Sequence, residues 1–231
     1  MWPKNKVGSV RAALAIIDGF NLYGKSGAAW SVINVDQDAL CRNQRTLEAL
    51  LPRQSNSKFT DAALLPTLSW PCFAANLTSQ KAQDSLERIT HHLERSKGLI
   101  RFQKDGFGTH IEDRTRCHYL PAELKKFDGI ESEWPVFFGY LLIDAKFRGN
   151  DQLVSQYRDK LNATLVENVC PTYFQIVKKE KNPIYLSNMH WVQVVVFFMT
   201  KQITVLNWKE ISFSNDWSKN IPYEKPSPAS P

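Results

Sequence analysis

The sequence contains no Cys-x-x-Cys pair, no block of lysine and arginine, and no uninterrupted apolar run of about 18 residues. Its four cysteines, Cys41, Cys72, Cys117 and Cys170, are scattered. They read as reduced thiols of a cytoplasmic protein rather than as zinc ligands or a disulfide framework. Residues 1–11 lack the apolar stretch of a secretory signal. The longest apolar runs, 136–138 with 140–143 and 194–199, suit a protein interior. The formal charge of +6 is mild, and without aromatic-basic alternation it gives no reason to expect nucleic acid. Nothing in the spacing calls for a metal or a cofactor.

Absence also divides the chain. All 10 glycines fall at or before Gly149, no arginine follows Arg158, and beyond Ala163 the sole alanine is Ala229. The chain as a whole has the composition of a globular protein, with 43% hydrophobic, 12% aromatic and 23% charged residues over 231 positions, and what distinguishes the part before that change is its pattern. The pattern there is mostly helical. Val10, Ala13, Leu14 and Ile17 repeat at helical spacing, and Gly24 follows as a stop. Asp36 caps an expected second helix through Leu51, with Leu40, Leu47, Leu50 and Leu51 inward. Thr60 opens a short third helix to Leu68, and 78–97 reads as an amphipathic fourth through Leu86, Ile89 and Leu93, stopped by Gly98. Residues 99–102 are a candidate strand, and 103–120 a long polar loop. Segments 134–147 and 151–166 form the last helix pair. The first is apolar nearly all round, hence inner, and the second amphipathic, hence outer.

Several constellations bear on chemistry. Gly19-Phe-Asn-Leu-Tyr-Gly24-Lys25-Ser26 fits the phosphate-binding pattern G-x-x-x-x-G-K-[ST], and Asp144 closes an apolar run where a metal-holding aspartate would stand. The residues before Gly19, however, scan as helix where the pattern requires a strand, and Asp144 lies in a run of helix length, so a nucleotide site is the alternative reading. Glu131, Glu133 and Trp134 place two carboxylates beside an aromatic platform, a combination used to grip or cleave sugars; acidic residues and Pro135 before a helix also suit its dipole. His91 and His92 are adjacent on a helix, so they cannot share a metal. The Lys178-Lys-Glu-Lys181 run reads as a solvated face, and 81–101 has the basic and apolar faces of a calmodulin target as many amphipathic helices do.

Longer phrases carry a resemblance. Leu50-Leu-Pro-Arg53, Thr60-Asp-Ala-Ala-Leu-Leu65, Arg101-Phe-Gln-Lys-Asp-Gly106, Tyr119-Leu-Pro-Ala-Glu-Leu-Lys125, Ile130-Glu-Ser-Glu-Trp-Pro135 and Phe147-Arg-Gly-Asn150 together resemble the regulatory α and β subunits of phosphorylase b kinase, the last phrase being closer to β. The resemblance implies an all-α fold, a partial (α/α)6 toroid similar to the glucoamylases of glycoside hydrolase family 15, over residues 9–167. Residues 1–8 would be a stub, 168–183 a weaker continuation, and 184–231 an atypical, partly disordered tail. It also implies a non-catalytic, regulatory role in glycogen breakdown. The partners would be a catalytic γ subunit, the other regulatory subunit, and calmodulin as δ subunit. In the glucoamylase pattern one catalytic acid lies before the segment resembling 9–21 and the other beyond the helix pair, so a two-carboxylate hydrolase is not expected, whereas a remnant saccharide pocket lined by Glu131, Glu133 and Trp134 is. The family's prenylation signal, which places the full-length proteins at the cytoplasmic face of the plasma membrane, has no counterpart in Pro228-Ala-Ser-Pro231.

Overall fold

The computed structural model describes residues 37–53, 58–69, 79–116 and 118–186. The expected opening helix, the Gly19–Ser26 pattern and the expected tail beyond residue 186 lie outside them. Helix α1 (Gln37–Leu50) matches its expected span. Leu47 and Leu51 stack one turn apart in the core, whereas Leu50, expected inward, is 38% exposed, because it sits about 60° round the helix from Leu47. The expected third helix is instead a 3-10 turn (Ala62–Leu64) running into a single α-turn, α2 (Leu65–Leu68). Asp61 is the cap, its carboxylate accepting the Ala63 N–H at 2.8 Å.

Helix α3 (Gln80–Leu93) buries Ala82, Ser85, Ile89 and Leu93, a stripe at steps of three and four. It ends at Leu93, not at Lys97. Glu94 turns extended, and β1 (Glu94–Arg95) and β2 (Gly98–Leu99) form a tight antiparallel hairpin around Ser96-Lys97. The reason lies on the far side of the hairpin. Leu99 exchanges two backbone hydrogen bonds with Trp134, at 3.2 and 2.8 Å, which a continued helix would forfeit. Gly98 makes this possible, since at φ +150° a Cβ would lie 2.3 Å from the Trp134 backbone.

Residues 103–120 carry no helix or strand among those described, as expected, and a 3-10 turn (Glu123–Phe127) follows. Helix α4 (Val136–Phe147) then buries Val136, Phe137, Phe138, Leu141, Leu142 and Ala145, so apolar atoms surround it. After a three-residue link, α5 (Asp151–Asn162) buries only Val154, Tyr157 and Leu161. The two pack along each other, with Phe138 against Tyr157 at 6.1 Å between ring centroids. Burying one such side chain stabilises the fold by about 2–3 kcal/mol. The inner and outer characters of this pair are as the sequence indicates. α5 stops at Asn162, four residues early, where the Thr164 hydroxyl donates to the Leu161 carbonyl at 2.6 Å and the chain enters a two-residue turn at Glu167-Asn168.

The expectation of an all-α fold is corrected beyond that turn. β3 (Tyr173–Val177) and β4 (Glu180–Ile184) form a second antiparallel hairpin, with Tyr173 opposite Ile184 and Val177 opposite Glu180. Tyr173, Phe174 and Ile176 are buried, and a strand of aromatic and β-branched residues suits a covered sheet face. Phe174 exchanges backbone hydrogen bonds with Glu133 at 3.0 and 2.8 Å. Residues 133–134 thereby join the two hairpins. The described architecture is helix-rich, with two small sheets meeting at the entrance to α4.

Candidate functional site at the junction of the two hairpins

The sequence-predicted residues Glu131, Glu133 and Trp134 come together at this junction, and all three are buried, at 5%, 4% and 5% exposure. Burying a carboxylate is costly unless its oxygens find donors, and here each does. Glu131 accepts the Lys104 N–H at 2.7 Å through Oε1 and the Gly129 N–H at 2.8 Å through Oε2. It therefore clamps the start of the long loop to the turn at Gly129, two residues before Glu131 itself. Glu133 accepts the Lys97 N–H at 2.7 Å through Oε2 and the Lys181 ammonium at 2.6 Å through Oε1. Lys97 lies in the β1–β2 turn and Lys181 in β4, so one carboxylate ties both hairpins together three residues before α4 begins at Val136. Neither carboxylate accepts from the first N–H groups of α4, at whose start Pro135 stands as the sequence reading has it.

An aromatic layer covers the same ground. Trp134 packs against Tyr173 at 5.0 Å and Phe107 at 5.9 Å between centroids, with Phe107 39% exposed on the outside. Arg101 lies over both Phe107 and Trp134, at 4.6 and 5.6 Å, and is held by Asp105 through two hydrogen bonds of 2.5 and 2.9 Å. Trp134 Nε1, and Ser132 Oγ beside Gly108, are buried with no hydrogen-bond partner among the described residues. Tyr173 closes the layer, and burial pushes its hydroxyl above the ordinary value of 10.0.

A second charged group lies across α5. Glu94 accepts from Tyr157 at 3.1 Å and pairs with Lys160, fastening β1 to the outer helix; burial and the Glu94 charge push the Tyr157 hydroxyl up. Cys170 is buried, its thiol pushed up to about 12 by desolvation, which makes it inert rather than nucleophilic. Among the described residues no group of histidine, cysteine and carboxylate side chains has the arrangement to hold a metal ion.

The second half of the nucleotide alternative is also in view. Asp144 lies within α4, not at the end of a strand, and its Oδ2 accepts from Arg148 at 2.6 Å. Gly19, Gly24, Lys25 and Ser26 lie outside the described residues. His91 and His92 are both exposed on α3. The sequence singled out the carboxylates as site residues but read Lys181 as part of a solvated run, whereas its side chain is 29% exposed and pairs with the buried Glu133; Arg101 and Asp105 entered only as part of a family phrase, and Lys97 not at all. The pair Arg101 and Asp105, four apart, was visible as a local signal; Lys181 lies 48 residues from Glu133 and had none.

No family model matches the chain. Among curated proteins it is 39% identical over 165 residues, 71% of its own length, to a protein of Drosophila melanogaster named as a probable phosphorylase b kinase regulatory subunit beta. It is 41% identical over 163 residues to the skeletal muscle regulatory subunit alpha of Oryctolagus cuniculus, and 42% identical over 165 residues to the liver isoform of Mus musculus. Over this span the chain is homologous to phosphorylase b kinase regulatory subunits. It spans only 15% of the length of the Drosophila relative and 13% of each mammalian one. Identities of 39% to a β and 41% to an α subunit do not separate the two branches, so the β-like character of Phe147-Arg-Gly-Asn150 stays a local feature.

Proposed function

We propose that this chain supplies a non-catalytic, scaffolding part of a phosphorylase b kinase regulatory subunit, acting in the control of glycogen breakdown. The observation that carries the reading is the identity of about 40% over seven tenths of the chain with subunits named as regulatory. The geometry agrees with it. Glu131 and Glu133 hold loops and hairpins, with every carboxylate oxygen accepting a hydrogen bond. In this reading α4 is an inner and α5 an outer helix of a partial (α/α)6 toroid, and the partners are a catalytic subunit, the second regulatory subunit and calmodulin. Size-exclusion chromatography of the full chain co-expressed with the catalytic γ subunit tests it: co-elution is expected, and separate elution at micromolar concentration overturns it.

A second reading rests on a separate observation. Trp134 Nε1, whose ring packs against the 39% exposed Phe107, and Ser132 Oγ, both buried and without a partner among the described residues, suit a ligand rich in hydroxyl groups, as a saccharide is. Titration calorimetry with maltooligosaccharides is expected to show binding that Trp134→Phe weakens. Equal heats in the two proteins remove this reading.

A further inference from the structure

Phe59 stands two residues before the Asp61 cap, far from the junction in sequence, and is 46% exposed. Two guanidiniums lie over its ring, Arg88 at 5.3 Å and Arg53 at 5.7 Å from the centroid. They arrive from different elements. Arg88 projects from the middle of α3, and Arg53 follows the end of α1, three residues beyond Leu50, which is itself 38% exposed. The two helices are tied near this point, where the Lys81 ammonium of α3 donates to the Glu48 carbonyl of α1 at 3.2 Å. One ring on a fixed helix pair thus sets the spacing of two cations.

Stacking on an aromatic ring uses the flat face of a guanidinium and leaves its in-plane N–H groups to bind something else. Arg88 shows this directly, since among the described residues its guanidinium has no hydrogen bond or ion pair. A cationic partner would be repelled here, and a purely apolar one would strip water from those donors without replacing it. A carboxylate replaces it well, because the guanidinium fork takes a carboxylate through two parallel hydrogen bonds. The uncovered part of the Phe59 ring, in turn, gains only from an apolar side chain.

We infer that Arg53, Phe59 and Arg88 form a docking site for an acidic segment of a partner protein, one in which a large apolar side chain is flanked by carboxylates. The apolar side chain covers Phe59, and the flanking acids meet the edges of the guanidiniums. Because the arginines are already held on the ring, binding has little side-chain freedom left to remove on this side of the contact.

Fluorescence anisotropy of a labelled peptide, two glutamates, a leucine and two more glutamates, titrated with the full chain, tests the site. Saturable binding is expected, with a Kd on the order of 100 µM at low salt, and added salt weakens it. Phe59→Ser and Arg88→Gln are each expected to weaken it by about tenfold, with urea midpoints matched to the unchanged chain. On the unchanged chain, serine in place of the leucine is expected to weaken binding to a similar degree, and glutamines in place of the glutamates to abolish it. No saturation by about 1 mM, or equal binding by the unchanged chain and both variants, overturns the site. Equal binding of the leucine and serine peptides overturns the role of Phe59. Sedimentation with phosphatidylserine vesicles covers the other anionic surface: vesicle binding that Phe59→Ser removes, without peptide binding, assigns the site to a membrane and refutes the protein partner.

Discussion

The junction rests on a few residues whose necessity is geometric. Gly98 is one: the Leu99–Trp134 bridge passes so near that any Cβ at 98 would lie 2.3–2.6 Å from the Trp134 and Pro135 backbone. Gly98→Ala is expected to cost about 3 kcal/mol, with the far-ultraviolet spectrum retained and the urea midpoint lowered. A normal midpoint would mean the bridge is dispensable. Asp61 gives a test by pH. Burial holds its carboxyl above the ordinary 3.8, against the lowering influence of the Ala63 N–H and of Lys58, 3.7 Å away. The folded chain therefore keeps a proton that the unfolded chain releases, and stability falls as pH rises from 3.8 through the raised value. Asn at this position still caps the 3-10 turn, so Asp61→Asn is expected to flatten the pH dependence of the urea midpoint from pH 3.8 upward through the raised value. An unchanged slope would assign that dependence to other groups. Legibility at this scale was uneven. Glu131, Glu133 and Trp134 stood out by type, but what they do is set by partners 27, 36 and 48 residues away, and spacing along a chain carries no such information.

At the scale of elements, periodicity carried far. The spans of α1, α4 and the start of α5 agree with the sequence pattern to within two residues, because each buries a stripe or a whole surface of apolar side chains that repeats at helical spacing. The hairpins did not show themselves. β1 and β2 are two residues each, too short for any alternation to register, and they exist because Leu99 finds Trp134. β3 and β4 turn through Lys178-Lys179, both left-handed at φ 49° and 71°, where asparagine and glycine are the usual signal. The double substitution Lys178→Asn with Lys179→Gly is accordingly expected to stabilise the hairpin by about 1 kcal/mol, read as slower amide exchange across Tyr173–Val177. Faster exchange there would mean that the lysines contribute more through contacts than their backbone costs.

At the scale of the described residues as a whole, the inner and outer helix pair, the loop tied down by Glu131 and the two hairpins tied by Glu133 form a body joined by its two buried carboxylates. Each oxygen of these two carboxylates accepts a hydrogen bond from a backbone N–H or from Lys181. The sequence phrases that resemble phosphorylase b kinase regulatory subunits coincide with these ties: Arg101-Phe-Gln-Lys-Asp105 holds the aromatic layer, and Glu131-Ser-Glu-Trp134 holds the loops and strands. The most direct measurement titrates the full chain into the catalytic γ subunit and follows phosphate transfer to phosphorylase b at fixed calcium. A regulatory scaffold predicts a rate that falls and saturates near one chain per catalytic subunit. A rate that does not change at any ratio would contradict it.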